Sequence, residues 1–283
     1  MHITKLRMES KILFMPVNVT VLLPESLPQA GKYRVVWLLH GAGGDERTSL
    51  YSMNFDLWLQ KHSAMIIMPS ALNSDYGNYE HFGSGYNFPA FFFEELMPFI
   101  QTAFAASPKR EDNFLVGTSM GGYGAASLGL QHPECFADIG MIGASLRESA
   151  FLAPYRSLDG ESFRQLAMAD RTKFPTEYGD PKEGIKTKEI NVIAKYPTVQ
   201  DFLDSPDCMW NRFPEVVAEG KLPRFYVACG TKDLFYEPCR RFQKLAEEQG
   251  VSDRVFFHFV ENVGHDSGFF AEEVGRFLDV CDV

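Results

Sequence analysis

The sequence predicts an α/β architecture: a doubly wound, mostly parallel sheet with helices on both faces. Three observations carry this. Short runs that are apolar at successive positions recur along the chain, as strands buried on both faces require. Stretches with apolar residues at helical spacing lie between them, giving a β-α-β rhythm. One of the runs, Phe114-Leu115-Val116, leads into Gly117-Thr118-Ser119-Met120-Gly121 and then into Ala, Leu and Gly at helical spacing. That is the strand, sharp turn and helix demanded by G-x-S-x-G, a turn that presents a Ser hydroxyl at the carboxyl end of a central strand.

Composition bounds the rest. The 283 residues, 45% hydrophobic, are enough for one large domain over residues 1–283, with room for an insertion. With 27 basic and 37 acidic residues the net charge is −10, which argues against general binding to nucleic acid or an anionic membrane. No apolar run is long enough to span a bilayer, and residues 1–10 show no signal-peptide pattern. Cys135, Cys208, Cys229, Cys239 and Cys281 are scattered, odd in number and without C-x-x-C. They are expected to be reduced, in a cytoplasmic protein, with no zinc site. A homo-oligomer is left open.

In chain order, residues 3–8 and 17–22 alternate and read as two antiparallel strands. Residues 33–39 form the next strand, apolar on both faces at its end and therefore central. It runs into His40-Gly41-Ala42-Gly43-Gly44, a Gly-rich loop able to offer backbone N–H groups to an anion. Residues 45–62 read as a helix with Leu50, Phe55, Leu57 and Trp58 inward, and residues 64–69 as a buried strand. The polar, aromatic loop 73–88 lies on the edge of the strand-end loops and is expected to line the site. A strongly apolar helix over 91–104 is expected to kink at Pro98. Residues 139–145 read as a strand. Residues 146–222 then break the rhythm, too long for an ordinary connection, and are read as a helical cap inserted over the strand ends. The alternation resumes with a strand at 224–229, a helix at 237–249 stopped by Gly250, a strand at 254–260 and a helix at 269–280.

A Ser hydroxyl is a poor nucleophile until a base takes its proton, and the base needs a carboxylate to orient it. In open α/β sheets such groups sit beyond the carboxyl ends of strands. Of the seven His, His265 follows the last strand and precedes the last helix. His81, in the long loop, is not excluded by position. His2, His40, His62, His132 and His258 are terminal, pre-loop, near helix ends or within a strand. Asp233 follows the strand ending at Cys229, whereas Asp138 begins a strand, Asp180, Asp204 and Asp207 lie in the insertion, and Asp266 adjoins His265. The order Ser119, Asp233, His265 is the one this architecture uses. The backbone N–H groups of Ala42 and of Met120, at a helix start, are the expected oxyanion donors.

Together, His40-Gly41-x-Gly43-Gly44, Gly117-Thr118-Ser119-Met120-Gly121-Gly122, Gly230-x-x-Asp233 and Gly264-His265 resemble the putative-esterase (esterase D-like) family of α/β-hydrolases, most of all the bacterial tributyrin esterases. The resemblance extends to Leu22-Leu23-Pro24-Glu25 and Tyr178-Gly179-Asp180, so it spans nearly the whole chain. It implies an α/β-hydrolase fold with a central sheet of about eight strands. It also implies a serine carboxylesterase for short-chain acyl esters of small molecules, needing no metal or organic cofactor. Ser119 would be the nucleophile, Asp233 the acid and His265 the base. A thioesterase of the S-formylglutathione hydrolase type, an acyltransferase, and an acetyl- or feruloyl-esterase use the same machinery. A non-catalytic binding protein on this scaffold is the rival from another class. Related esterases place a Trp soon after the catalytic His; this chain has Asp266-Ser267-Gly268-Phe269-Phe270, a departure that bears on acyl-chain preference.

Overall fold

The computed structural model describes residues 1–25, 32–79, 85–144, 146–169 and 196–281. One eight-stranded sheet runs through it in the order β1-β2-β4-β3-β5-β6-β7-β8. The strands are β1 (His2–Ser10), β2 (Met15–Leu23), β3 (Arg34–Leu39), β4 (Ala64–Pro69), β5 (Asn113–Thr118), β6 (Asp138–Ile142), β7 (Arg224–Gly230) and β8 (Val255–Val260). The β1–β2 and β2–β4 pairs are antiparallel; all other pairs are parallel. The helices are α1 (Thr48–Ser52), α2 (Phe55–Lys61), α3 (Phe88–Ala90), α4 (Met97–Ala103), α5 (Met120–Gln131), α6 (Ser149–Leu152), α7 (Gly160–Ala169), α8 (Val199–Asp204), α9 (Met209–Ala218), α10 (Tyr236–Glu248) and α11 (Ser267–Val280). None of these is long and apolar enough to cross a membrane.

Strand alternation builds two cores, one on each face. Val35, Trp37 and Leu39 of β3 point into the core shared with Phe88, Phe91 and Phe92, with α5, and with Phe213 of α9 and Phe242 of α10. Val36 and Leu38 point the other way, against Phe55 and Leu59 of α2 and Phe269, Val274 and Phe277 of α11. Successive side chains of a strand take opposite faces, so a strand between two helical layers must be apolar throughout.

The strand order places the site. The chain leaves β3 for β4 on one side and returns to β5 on the other. The carboxyl ends of β3 and β5 therefore flank the point where the winding reverses, where open α/β sheets form their crevice. Leu39 pairs with Gly117 across β3 and β5, so the His40–Gly44 loop emerges beside Ser119. The β7–β8 pair runs in register to Gly230 opposite Val260, which brings the loops carrying Asp233 and His265 out side by side.

Three elements differ from expectation. Residues 45–62 form two helices, because Asn54 accepts the N–H of Leu57 and starts α2 afresh. Leu57 then faces outward, 60% exposed, and Leu59 takes the inner position. The helix near Pro98 contains a π-helical stretch, Phe91–Leu96, immediately before the α-helical Met97–Ala103. A π-turn shifts the bonding frame by one residue just before Pro98, which cannot donate. Within 146–222, Met209, Phe213 and Val216 of α9 join the main core, so α9 is a crossover helix of the sheet. Leu152, Phe163, Val199, Phe202, Leu203 and Cys208 form a small cluster of their own. His81 and its neighbours in the 73–88 loop, and the stretch Tyr178-Gly179-Asp180 with residues 170–195 of the expected cap, lie outside the described residues.

Candidate active site

Ser119 sits between β5 and α5 with φ 55° and ψ −119°. For a residue with a Cβ this costs of order 1–3 kcal/mol, and the neighbours hold it there. Its N–H donates to the Ile142 carbonyl at 2.7 Å, and its own carbonyl accepts from Gly122 and Tyr123 at 3.0 and 3.2 Å. The turn closes only because its flanks lack side chains. A Cβ on Gly117 would stand 2.1 Å from the Gly121 carbonyl oxygen, and one on Gly121 2.2 Å from the Leu39 oxygen.

The loops after β7 and β8 are stitched together. Thr231 N–H donates to the Val260 carbonyl and Lys232 N–H to Val263, at 2.9 and 2.8 Å. Asn262 N–H donates to Thr231 Oγ1 at 2.9 Å. Asp233 and His265 are thereby brought together. The Asp233 carboxylate is fully buried; its Oδ1 accepts the Phe235 N–H at 3.0 Å and its Oδ2 faces His265 Nδ1 at 2.8 Å. A carboxylate only accepts, so the imidazole proton is on Nδ1. His265 Nε2 is then an acceptor, 2.9 Å from Ser119 Oγ, whose hydroxyl donates to it. Phe235 and Phe270 present edge-to-face contacts to the imidazole, with centroids at 5.4 and 4.8 Å. Phe270 finds room because residue 143 is Gly (φ +56°); a Cβ there would meet Phe270 at 2.8 Å and Asp233 Oδ2 at 3.2 Å.

A hydroxyl aligned on a neutral imidazole, itself aligned on a buried carboxylate, can lose its proton as it attacks a carbonyl. The hydroxyl opens into a cavity of about 290 Å³. The His40–Gly44 loop forms one wall, and Thr48, Ser49, Ser52, Met53, Ser267 and Phe270 line the rest. Ala42 is exposed on that wall, and Met120 is the first residue of the 12-residue helix α5. No described residue of 146–222 lines this cavity. Tyr196, Asp201 and Asp207 line a separate cavity of about 400 Å³, beside Gln131 at the far end of α5. The 73–88 loop divides likewise: Asn73 touches the Gly-rich loop, while Asn78, Tyr79 and Asn87 line the second cavity.

The other candidates have structural partners. His62 Nε2 meets Asp279, His258 Nδ1 meets Glu273, and His132 Nδ1 meets Glu134. Asp138 pairs with Arg224 at 2.6 Å, and Asp266 caps α11 by accepting the N–H groups of Gly268 and Phe269. Buried Asp207 accepts the Asn78 N–H and a Gln131 amide N–H. His132, Glu134 and Cys135 bring one possible metal-ligating atom each within 4.8 Å of one another. Burial pushes the Cys135 thiol up to about 11. Sequence reasoning missed Asn73, Phe235 and Gly143. Their roles rest on contacts between loops distant in sequence, which no local pattern marks.

The family model described as putative esterase matches residues 10–271. An acetyl esterase from Caldicellulosiruptor saccharolyticus is 24% identical over 289 residues, 98% of this chain and 96% of that protein. Among solved structures, the fluorophosphonate-binding serine hydrolase FphF of Staphylococcus aureus aligns with a TM-score of 0.76 at 21% identity, over 99% of this chain and 98% of that one. The S-formylglutathione hydrolase FrmB of Staphylococcus aureus aligns with a TM-score of 0.73 at 22% identity, over 99% of both chains. At these identities the structural likeness carries the fold alone, while the family match spans nearly the whole sequence. This chain therefore belongs to the putative esterase family of α/β-hydrolase-fold ester hydrolases.

Proposed function

We propose that the protein is a serine carboxylesterase for short acyl groups, with Ser119 as nucleophile, His265 as general base and acid, and Asp233 as the orienting carboxylate. The single observation that carries this reading is the pair of hydrogen bonds through His265, 2.9 Å to Ser119 and 2.8 Å to Asp233. Ser119 Oγ attacks the ester carbonyl while His265 Nε2 takes its proton. The developing oxyanion is met by the N–H groups of Ala42 and Met120, the second reinforced by the dipole of α5. His265 returns the proton to the leaving alkoxide. Water, deprotonated by the same Nε2, then releases the acid from the acyl-enzyme.

A cavity of about 290 Å³, walled by the His40–Gly44 loop, by small residues such as Ser49 and Ser52, and by Met53 and Phe270, has room for short acyl groups such as acetyl to butyryl, the class expected of a tributyrin-type esterase. The acetyl esterase relative supports the short end of that range. Five free thiols, four of them buried, fit a reducing compartment, and we place the protein in the cytoplasm on that ground. We read the part of 146–222 that packs on its own small cluster, with Leu152, Phe163 and Phe202, as the cap; Asp201 and Asp207 line a cavity beside Gln131 of α5 rather than the one at Ser119. The test is turnover of p-nitrophenyl acetate and butyrate beside S-formylglutathione and feruloyl esters. Simple short esters should give the highest kcat/KM, and Ser119→Ala should abolish turnover while leaving the fold intact. Wild-type turnover by Ser119→Ala would overturn the reading.

A further inference from the structure

We infer that His40 and Asn73 are positioning residues that aim the Ala42 N–H at the developing oxyanion; this rests on the esterase reading above. A peptide unit is planar, so the Gly41 carbonyl and the Ala42 N–H point in opposite directions from one rigid plate. Fixing the carbonyl fixes the N–H. The Gly41 oxygen is held twice: by His40 Nδ1 at 2.8 Å and by the Gly44 N–H at 3.1 Å. The second bond closes a turn whose third residue, Gly43, has φ +80°, as a type II turn requires.

The tautomer of His40 is set from the far side. Ala71 N–H donates to His40 Nε2 at 3.0 Å, so Nε2 is the acceptor and Nδ1 carries the proton given to Gly41. Burial pushes the pKa of His40 down, which keeps the ring neutral in this arrangement. The next plate is held as well: the Gly43 N–H donates to Asn73 Oδ1 at 2.6 Å. Both plates flanking Ala42 are therefore anchored to residues just after β4. The Tyr76 hydroxyl adds a third tie, donating to the His40 carbonyl at 2.9 Å.

This anchoring segment is itself strained. Leu72, Asp75 and Tyr76 have φ of 55°, 52° and 59°. Such left-handed backbone at non-glycine residues persists only where surrounding contacts over-determine it. Here the contacts are the Asp75–Arg147 ion pair at 2.6 Å and the fully buried Tyr76 ring. In this arrangement the donor's direction is built before substrate arrives. Such preorganisation lowers the barrier without strengthening substrate binding.

Asn73 is exposed, which makes it the cleaner position to test. Asn73→Ala should lower kcat for p-nitrophenyl acetate about tenfold, below the ~100–1,000-fold expected for deleting an oxyanion donor outright. KM and the melting temperature should stay near wild type. Affinity for a methylboronic acid, whose adduct oxygen occupies the oxyanion position, should fall by the same factor as kcat, while inhibition by acetate stays unchanged. Asn73→Asp keeps the acceptor oxygen and should recover most of the loss. At the buried position, His40→Asn keeps a donor near Nδ1 and should retain more activity than His40→Ala. A kcat for Asn73→Ala within twofold of wild type, or an Asn73→Asp no better than Asn73→Ala, would overturn the inference. Failure of the esterase reading would look different: no Ser119-dependent turnover in the wild-type enzyme.

Discussion

Replacing Asp233 by Asn tests the proposed relay at its least accessible point. The two carboxylate oxygens have different partners: Oδ1 accepts the Phe235 N–H, and Oδ2 faces His265 Nδ1. In Asp233→Asn the amide oxygen must stay on the Phe235 side, since an N–H cannot face an N–H. The amide NH₂ then faces His265 Nδ1 and forces the imidazole into its other tautomer. Nε2 would carry the proton, point it at Ser119 Oγ, and be unable to accept one. The substitution is nearly isosteric, so packing is kept while the base is disabled. The expected loss is about 10⁴ in kcat, or about 5 kcal/mol of transition-state stabilisation. Stopped-assay kinetics on p-nitrophenyl acetate measure it, with KM within a few-fold of wild type and a melting temperature confirming the fold. A kcat within tenfold of wild type would refute the reasoning, because the tautomer would not matter.

Other consequences can be checked alongside. Gly121→Ala places a Cβ 2.2 Å from the Leu39 carbonyl, where only backbone can yield; it should cost about 3 kcal/mol, seen as a drop in melting temperature of roughly 6–12 °C. Phe270→Ala opens the cavity wall beside His265; the octanoate-to-acetate ratio of kcat/KM should rise at least about tenfold, and an unchanged ratio would remove Phe270 from the acyl pocket. His40 has its pKa lowered by burial, so the unfolded chain binds the extra proton. Stability from this group is present above its ordinary pKa of about 6.5 and is lost as pH falls below it. Between about pH 7.5 and pH 5 the wild-type melting temperature should fall more than that of His40→Asn; parallel curves would contradict the assignment.

Much of the scaffold is legible in the sequence because buried parallel strands leave a strong signal. The runs ending at Leu39, Thr118 and Cys229 are apolar on both faces, and their ends mark where polar groups can gather. The rule that functional groups sit beyond strand ends selects Asp233 and His265 from many alternatives, and the structure brings His265 to Ser119 and Asp233 to His265. What the sequence does not disclose is side-chain hydrogen bonding between distant loops. Nothing local in Asn73 says that it will take the Gly43 N–H, and Asn54 splits a helix whose periodicity alone reads as continuous. The π-helical stretch before Pro98 is equally hidden, since its aromatic spacing fits an ordinary helix. The direction of the Ala42 N–H is a matter of peptide-plane orientation, which residue identity only constrains through Gly43.

An esterase of this kind must pass through an acyl group covalently bound to Ser119. Rapid acid quench of the enzyme during turnover of p-nitrophenyl acetate, followed by peptide mass spectrometry, reads this out directly. One acetyl group is expected on the peptide containing Ser119, at the Ser119 hydroxyl, and none in Ser119→Ala. Turnover with no acetyl on Ser119, or with acetyl on another residue whose replacement abolishes activity, would contradict it.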